Sequence, residues 1–223
     1  MDFLNYFADV DWSEIWQGSL DTGVMLGSSL VFTILLGLPL GVLLFVCGPR
    51  QLFEEKRLYA LLAFCVNVLR SLPFIILLIV LIPFTVLITG TSLGVAGAIP
   101  PLVIGCTPFF ARLVETALRE VDRGIIEATQ SMGATPWQII VRALLPEALP
   151  GIIAAITVTS ITLVSYTAMA GVVGAGGLGD LAIRFGYQRF QTNVMIVTVI
   201  ILVVLVQVLQ TIGDKLVVHF SRK

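Results

Sequence analysis

The sequence predicts an all-α integral membrane protein with five spanning helices, and three observations carry that expectation. First, 57% of the 223 residues are apolar and only 12% charged, with a mean hydropathy of +1.02, whereas a soluble domain is about one-quarter charged. Second, residues 22–49, 71–111, 148–179 and 190–213 contain no Asp, Glu, Lys or Arg. A hydrocarbon layer of about 30 Å needs roughly 20 helical residues, so the run at 71–111, with turn chemistry at 89–97, holds two spans. The expected spans cover about 24–46, 62–86, 96–118, 149–170 and 193–212.

Third, the basic residues are unevenly placed. Asp2, Asp9, Asp11, Glu14 and Asp21 precede span one without a single Lys or Arg. Arg50, Lys56 and Arg57 follow it; Arg112, Arg119, Arg123 and Arg142 surround the central loop; Lys215, Arg222 and Lys223 close the chain. Only Arg184 and Arg189 fall on the other side, so the positive-inside rule predicts an outside N-terminus and a cytoplasmic central loop and C-terminus. With a formal net charge of -1, nothing in the sequence points to a nucleic-acid partner, and none is expected.

Residues 1–20 mix Phe3, Leu4, Phe7, Val10, Ile15 and Trp16 with carboxylates, a weakly amphipathic outer segment suited to the membrane surface. It lacks the basic start of a cleaved signal, so span one is expected to direct insertion. Span one opens the membrane domain, taken as 21–223. It contains Gly23/Gly27 and Gly37/Gly41, pairs that serve either packing within the chain or a dimer seam, and Pro39 is expected to bend it.

Span two meets Asn67 and Arg70 early. An arginine at the bilayer centre costs at least about 2.5 kcal/mol, so Arg70 either snorkels back to the interface or lines the inner mouth of a path. Pro73 and Pro83 make the helix irregular. Span three continues into an arm reaching Ile126, with Glu115 and Arg119 at the favourable i,i+4 spacing.

The polar stretch from Glu127 to Gly151, which overlaps a loop expected at about 119–148, reads as two short helices joined at Gly133, which suits a left-handed closing residue. Thr135 is the next N-cap, Pro136 occupies N1 and Gln138 completes a capping box at N3. Glu127 is expected to begin the first of these helices, where a carboxylate favours the dipole.

Span four is rich in hydroxyls. At 100° per residue Thr159, Thr162, Tyr166 and Met169 share an arc that either lines an aqueous path or packs with its hydroxyls bonded to the preceding turn. Glycines at 171–179 turn the chain outside, and span five returns it to a basic tail.

Two tempting motifs fail. Gly174, Gly176 and Gly179 satisfy the dinucleotide pattern, but a membrane helix precedes them and no acidic residue follows at the required distance. Gly90-Thr91-Ser92-Leu93-Gly94 satisfies the nucleophile elbow of an intramembrane serine protease, yet the sole histidine, His219, is expected on the opposite face. No phosphate-binding loop occurs, and no Asp or Glu interrupts the cores of the five expected spans, where an ion-coupled carrier would need intramembrane carboxylates. Cys47, Cys65 and Cys106 form no close pair and read as small hydrophobes; no metal site is expected.

One spacing is more specific. Glu127-Ala128-Thr129, Gly133 and the later Ala143-Leu144-Leu145-Pro146 resemble the EAA loop of ABC-importer permeases, with Thr129 and Ala143 departing from the usual residues. RSLPFIILL from Arg70, LPEALPG from Leu145 and GAGGLG from Gly174 extend the resemblance to methionine-uptake permeases over most of 20–223. It implies the type I importer permease fold in a bacterial cytoplasmic membrane. It also implies a homodimer with two ATPase subunits, which hold the ATP and magnesium, and an outer binding protein that delivers methionine. A permease for another small amino acid or a peptide is the alternative. By this resemblance Glu127, Ala128, Gly133, Ala134 and Trp137 meet the ATPase, and Met169 closes the pathway beside Thr159, Thr162 and Tyr166. The chain itself would have no catalytic residue and bind no cofactor.

Overall fold

A computed structural model of the chain describes residues 10–49 and 51–221; Phe3, Leu4, Phe7, Arg50, Arg222 and Lys223 lie outside the described residues. Every regular element among them is helical.

Helix α1 (Trp12–Cys47) is far longer than the expected span, because Asp11 caps it. The Asp11 carboxylate accepts from the backbone N–H of Ser13 at 2.9 Å and of Glu14 at 3.3 Å. The boundary expected at residue 20 therefore falls inside a continuous helix, which also runs through Pro39.

Helix α2 (Lys56–Ser71), α3 (Phe74–Val80) and α4 (Ile82–Thr89) replace the single second span. Pro73 lacks an N–H and disfavours helix at Leu72, and the helix breaks between α2 and α3. Pro83 is tolerated because it sits in the first turn of α4. Four unbroken helices are long and apolar enough to cross a membrane, and the broken pair supplies the fifth if counted as one span.

Helix α5 (Gly94–Arg119) matches the third expected span, but the stiff arm to Ile126 does not form. Instead Asp122 caps a new helix, α6 (Arg123–Ser131), its carboxylate accepting from the Gly124 N–H at 2.6 Å. After Gly133 come α7 (Pro136–Ile139), a π turn over Ile140–Leu144 and α8 (Leu145–Glu147). The widened turn precedes Pro146, whose missing N–H leaves no donor for the carbonyl four residues back. Helix α9 (Leu149–Gly171), the short α10 (Gly177–Leu181) with a π turn over Ala182–Tyr187, and α11 (Thr192–Ser221) complete the chain.

The chain divides into two compact units. One comprises the chain up to Phe32, Leu72–Gly105 and Ser160–Leu209. Its core gathers Val10, Ile15, Leu181, Val194 and Val197. Here the glycine-rich turn closes as expected: Gly174, Gly176 and Gly177 have φ of 84°, 79° and 81°. Gly171 and Gly179 serve close approach instead, since a Cβ on either would strike the backbone of Asp180 or of Ala168.

The other unit comprises Thr33–Ser71, Cys106–Thr159 and the chain from Gln210. Its core joins Phe45, Phe110, Val114 and Leu118 to Ile139, Leu144 and Ile152. Gly37 and Gly41 lie against α5, where a Cβ on Gly41 would come within 2.6 Å of the Ala111 carbonyl. That glycine pair packs within the chain, whereas a Cβ on Gly23 or Gly27 would meet nothing within 4 Å.

Candidate functional site

The polar loop folds as its sequence predicts. Gly133 is left-handed at φ 78°, and the Ala134 N–H reaches back to the Thr129 carbonyl at 3.2 Å. Thr135 and Gln138 form the reciprocal capping box at 3.4 Å and 2.9 Å. Thr129, the departure from the usual alanine, bonds its hydroxyl to the carbonyls of Ile125 and Ile126 at 2.8 Å and 2.9 Å, so the helix holds.

Two faces result. Ile139, Ile140 and Leu144 are buried in the core of their unit, while Met132 and Trp137 are 78% and 71% exposed. Glu127 and Ala128 are exposed on α6, and Ala134 is half-buried against the core, so it anchors the loop as much as it faces outward. Glu127 does not begin its helix: α6 starts at Arg123, leaving Glu127 beyond the first turn, where the dipole effect has faded. Its carboxylate makes no ion pair among the described residues and is available to a basic partner. Trp137 also lines an apolar groove of about 730 Å³ with Leu38, Val42, Phe53, Leu58 and Ile140.

A buried charge cluster precedes the loop. Glu115, its side chain 2% exposed, accepts from Arg112 at 2.6 Å and from Arg119 at 2.7 Å. The Tyr59 hydroxyl donates to Glu115 at 3.3 Å, and Arg112 also donates to the Asn67 side-chain oxygen at 3.0 Å. The expected Glu115/Arg119 pair is therefore half of a larger network tying α2 to α5. The i,i+3 spacing of Arg112 and Glu115 could have disclosed the second arginine. No spacing points to Tyr59, whose approach is long-range.

On α9 the expected arc is only partly realised. Thr159 is buried and its hydroxyl bonds the Ala155 carbonyl at 2.7 Å, so it packs. Tyr166 is half-buried and stacks on Phe74 at 4.2 Å between ring centroids. Met169 is 45% exposed and Thr162 intermediate. The open face of α9 is the i,i+4,i+7,i+11 stripe of Val158, Thr162, Ser165 and Met169. Sequence reasoning took Thr159 and Tyr166 for that face and missed Val158 and Ser165, a rotation of less than one residue step.

The described residues contain no group of carboxylates, cysteines and histidine able to hold a metal ion. Ser92 lies in a turn between α4 and α5, flanked by left-handed Gly90 and Gly94, not on a strand-to-helix elbow.

Residues 33–223 match the family described as binding-protein-dependent transport system inner membrane component. The probable D-methionine transport system permease protein MetI of Vibrio cholerae is 56% identical over 182 residues, 82% of this chain and 81% of that one. The methionine import system permease protein MetP of Bacillus subtilis is 46% identical over 212 residues, covering 95% and 96%. Among solved structures, an inward-facing conformation of the MetNI methionine ABC transporter superposes with a TM-score of 0.93 at 45% identity, covering all of both chains.

Proposed function

This chain belongs to the binding-protein-dependent transport system inner membrane component family, and from that premise we propose that it is the membrane permease of an ATP-driven methionine importer. It is a multi-pass inner-membrane protein. The observation that carries the reading is the capped turn around Gly133, whose inner face is fixed in a core while Met132, Trp137 and Glu127 face outward. Such an element transmits force from a separate subunit. Relatives 44–56% identical are named for methionine or D-methionine, which supplies the solute.

Two copies form the pathway, each docked on one cytoplasmic ATPase subunit that holds the ATP and magnesium, and an outer binding protein presents methionine. The N-terminus faces outside, and the turn and C-terminus face the cytoplasm, as the basic residues require. ATPase closure moves the turn, and the helices then open to one side at a time. Met169, on the open face of α9 two residues before its end, seals the pathway against its copy, a task suited to a flexible thioether.

Purified permease, ATPase subunits and binding protein in proteoliposomes should take up methionine only with ATP on the cytoplasmic side. Uptake of another amino acid or a peptide, with methionine ignored, would reassign the solute. Mass measurement should give two permeases and two ATPases, and a single permease would overturn the dimer.

A further inference from the structure

Arg70 lies inside the expected second span and makes no ion pair among the described residues. Helices α2 and α5 run antiparallel where they meet: Tyr59 contacts Glu115, Asn67 contacts Arg112, and the Arg70 guanidinium lies over the Phe109 ring, 5.8 Å from its centroid. Three guanidiniums, Arg119, Arg112 and Arg70, are thus stacked in order along this seam. The first two share Glu115. Arg70 is exposed and has no carboxylate partner among the described residues.

The row leads inward. From Tyr59 to Arg70 is about 16 Å along α2. Helix α5 is 26 residues long, about 39 Å, so centring it on a 30 Å hydrocarbon layer puts Phe109 about 10 Å inside the nearer boundary. Lipid phosphates lie outside the hydrocarbon and do not reach that depth. Ionisable side chains at that depth almost always face the bundle interior or a water-filled cavity, and an anion would reach Arg70 along such a cavity.

We propose that Arg70, steadied by Phe109 and flanked by the Asn67–Arg112 pair, binds the carboxylate of the transported amino acid on the inner part of its path. The guanidinium fork matches a carboxylate's two oxygens, and Phe109 orients it without neutralising it. Asn67 engages Arg112 and, one helical turn before Arg70, keeps that second guanidinium beside the site. The inference rests on the transport reading above and adds the group by which this chain itself recognises the solute.

The test uses the permease–ATPase assembly purified without binding protein, with equilibrium dialysis of radiolabelled methionine and methionine amide, which lacks only the carboxylate. The wild type should bind methionine and lose roughly tenfold or more with the amide; Arg70→Gln should show the same loss with methionine, and Arg70→Lys should recover part of it. Equal binding of acid and amide by the wild type overturns the proposal without recourse to any variant. So does Arg70→Gln binding methionine as the wild type does, or losing bound phospholipid with methionine affinity intact. Uptake with the binding protein present separates the two readings. A wild type that takes up no amino acid faults the transport reading, whereas methionine uptake unaltered by Arg70→Gln removes only this site.

Discussion

Replacing Glu115 with alanine should be among the most damaging single changes in the unit that carries the polar loop. The carboxylate is 2% exposed and neutralises two arginines, so its loss leaves positive charge without a partner. Arg112, its side chain 22% exposed, keeps only Asn67 among the described residues. Arg119, 38% exposed, turns toward water and contributes less. Breaking a buried pair costs about 3–5 kcal/mol, and discounting the exposed arginine gives about 2–4 kcal/mol. For a chain of this size that lowers the melting temperature by roughly 5–12 °C. The assay is thermal unfolding of the detergent-purified protein. The double variant Arg112→Met with Glu115→Met, which removes the charge and its more buried partner together, should lose less than Glu115→Ala alone. Melting of Glu115→Ala within about 1 °C of the wild type would refute the reasoning.

Gly41→Val should cost about 1–3 kcal/mol by driving α1 off α5, while Gly27→Ala, whose Cβ meets nothing within 4 Å, should melt as the wild type does. Gly133→Ala should lose about 1–2 kcal/mol and weaken ATPase co-purification, because its φ of 78° disfavours any Cβ; Gly133→Asn should retain more of both. Glu127→Lys should weaken ATPase co-purification with the melting temperature unchanged, and normal co-purification would count against the contact. In a cysteine-free background, an impermeant thiol reagent on intact cells should label Gln188→Cys and spare Gln130→Cys; the reverse would invert the membrane orientation. Met169→Ala should raise basal ATP turnover in the assembly, and Met169→Cys should crosslink to its copy in at least one nucleotide state.

The sequence by itself determined whatever depends on composition and on neighbours within about one helical turn. Hydropathy marked the spans that became α1, α5, α9 and α11. The turn at Gly133, with its capping box and left-handed glycine, is local chemistry that Thr135, Pro136 and Gln138 state outright. What depended on remote neighbours needed the tertiary structure. Asp11 extended α1 across the residues expected to form a separate segment, since a cap works only once the following turns have packing to support them. The break of the expected arm at Glu120–Asp122 is the exception, since the Asp122 cap that makes it is local and was overlooked in the sequence. Which glycines meet another helix, with Gly37 and Gly41 closed and Gly23 and Gly27 open, follows from where α5 lies and not from their identical spacing. Likewise the period of α9 defined a stripe, but burial chose its rotation, putting Thr159 inside and Ser165 outside. The Glu115 network has the same origin: a lone i,i+4 pair in sequence gained Tyr59 and, through Arg112, Asn67 when α2 folded against α5, because a buried carboxylate has to be satisfied by whichever donors the packing brings.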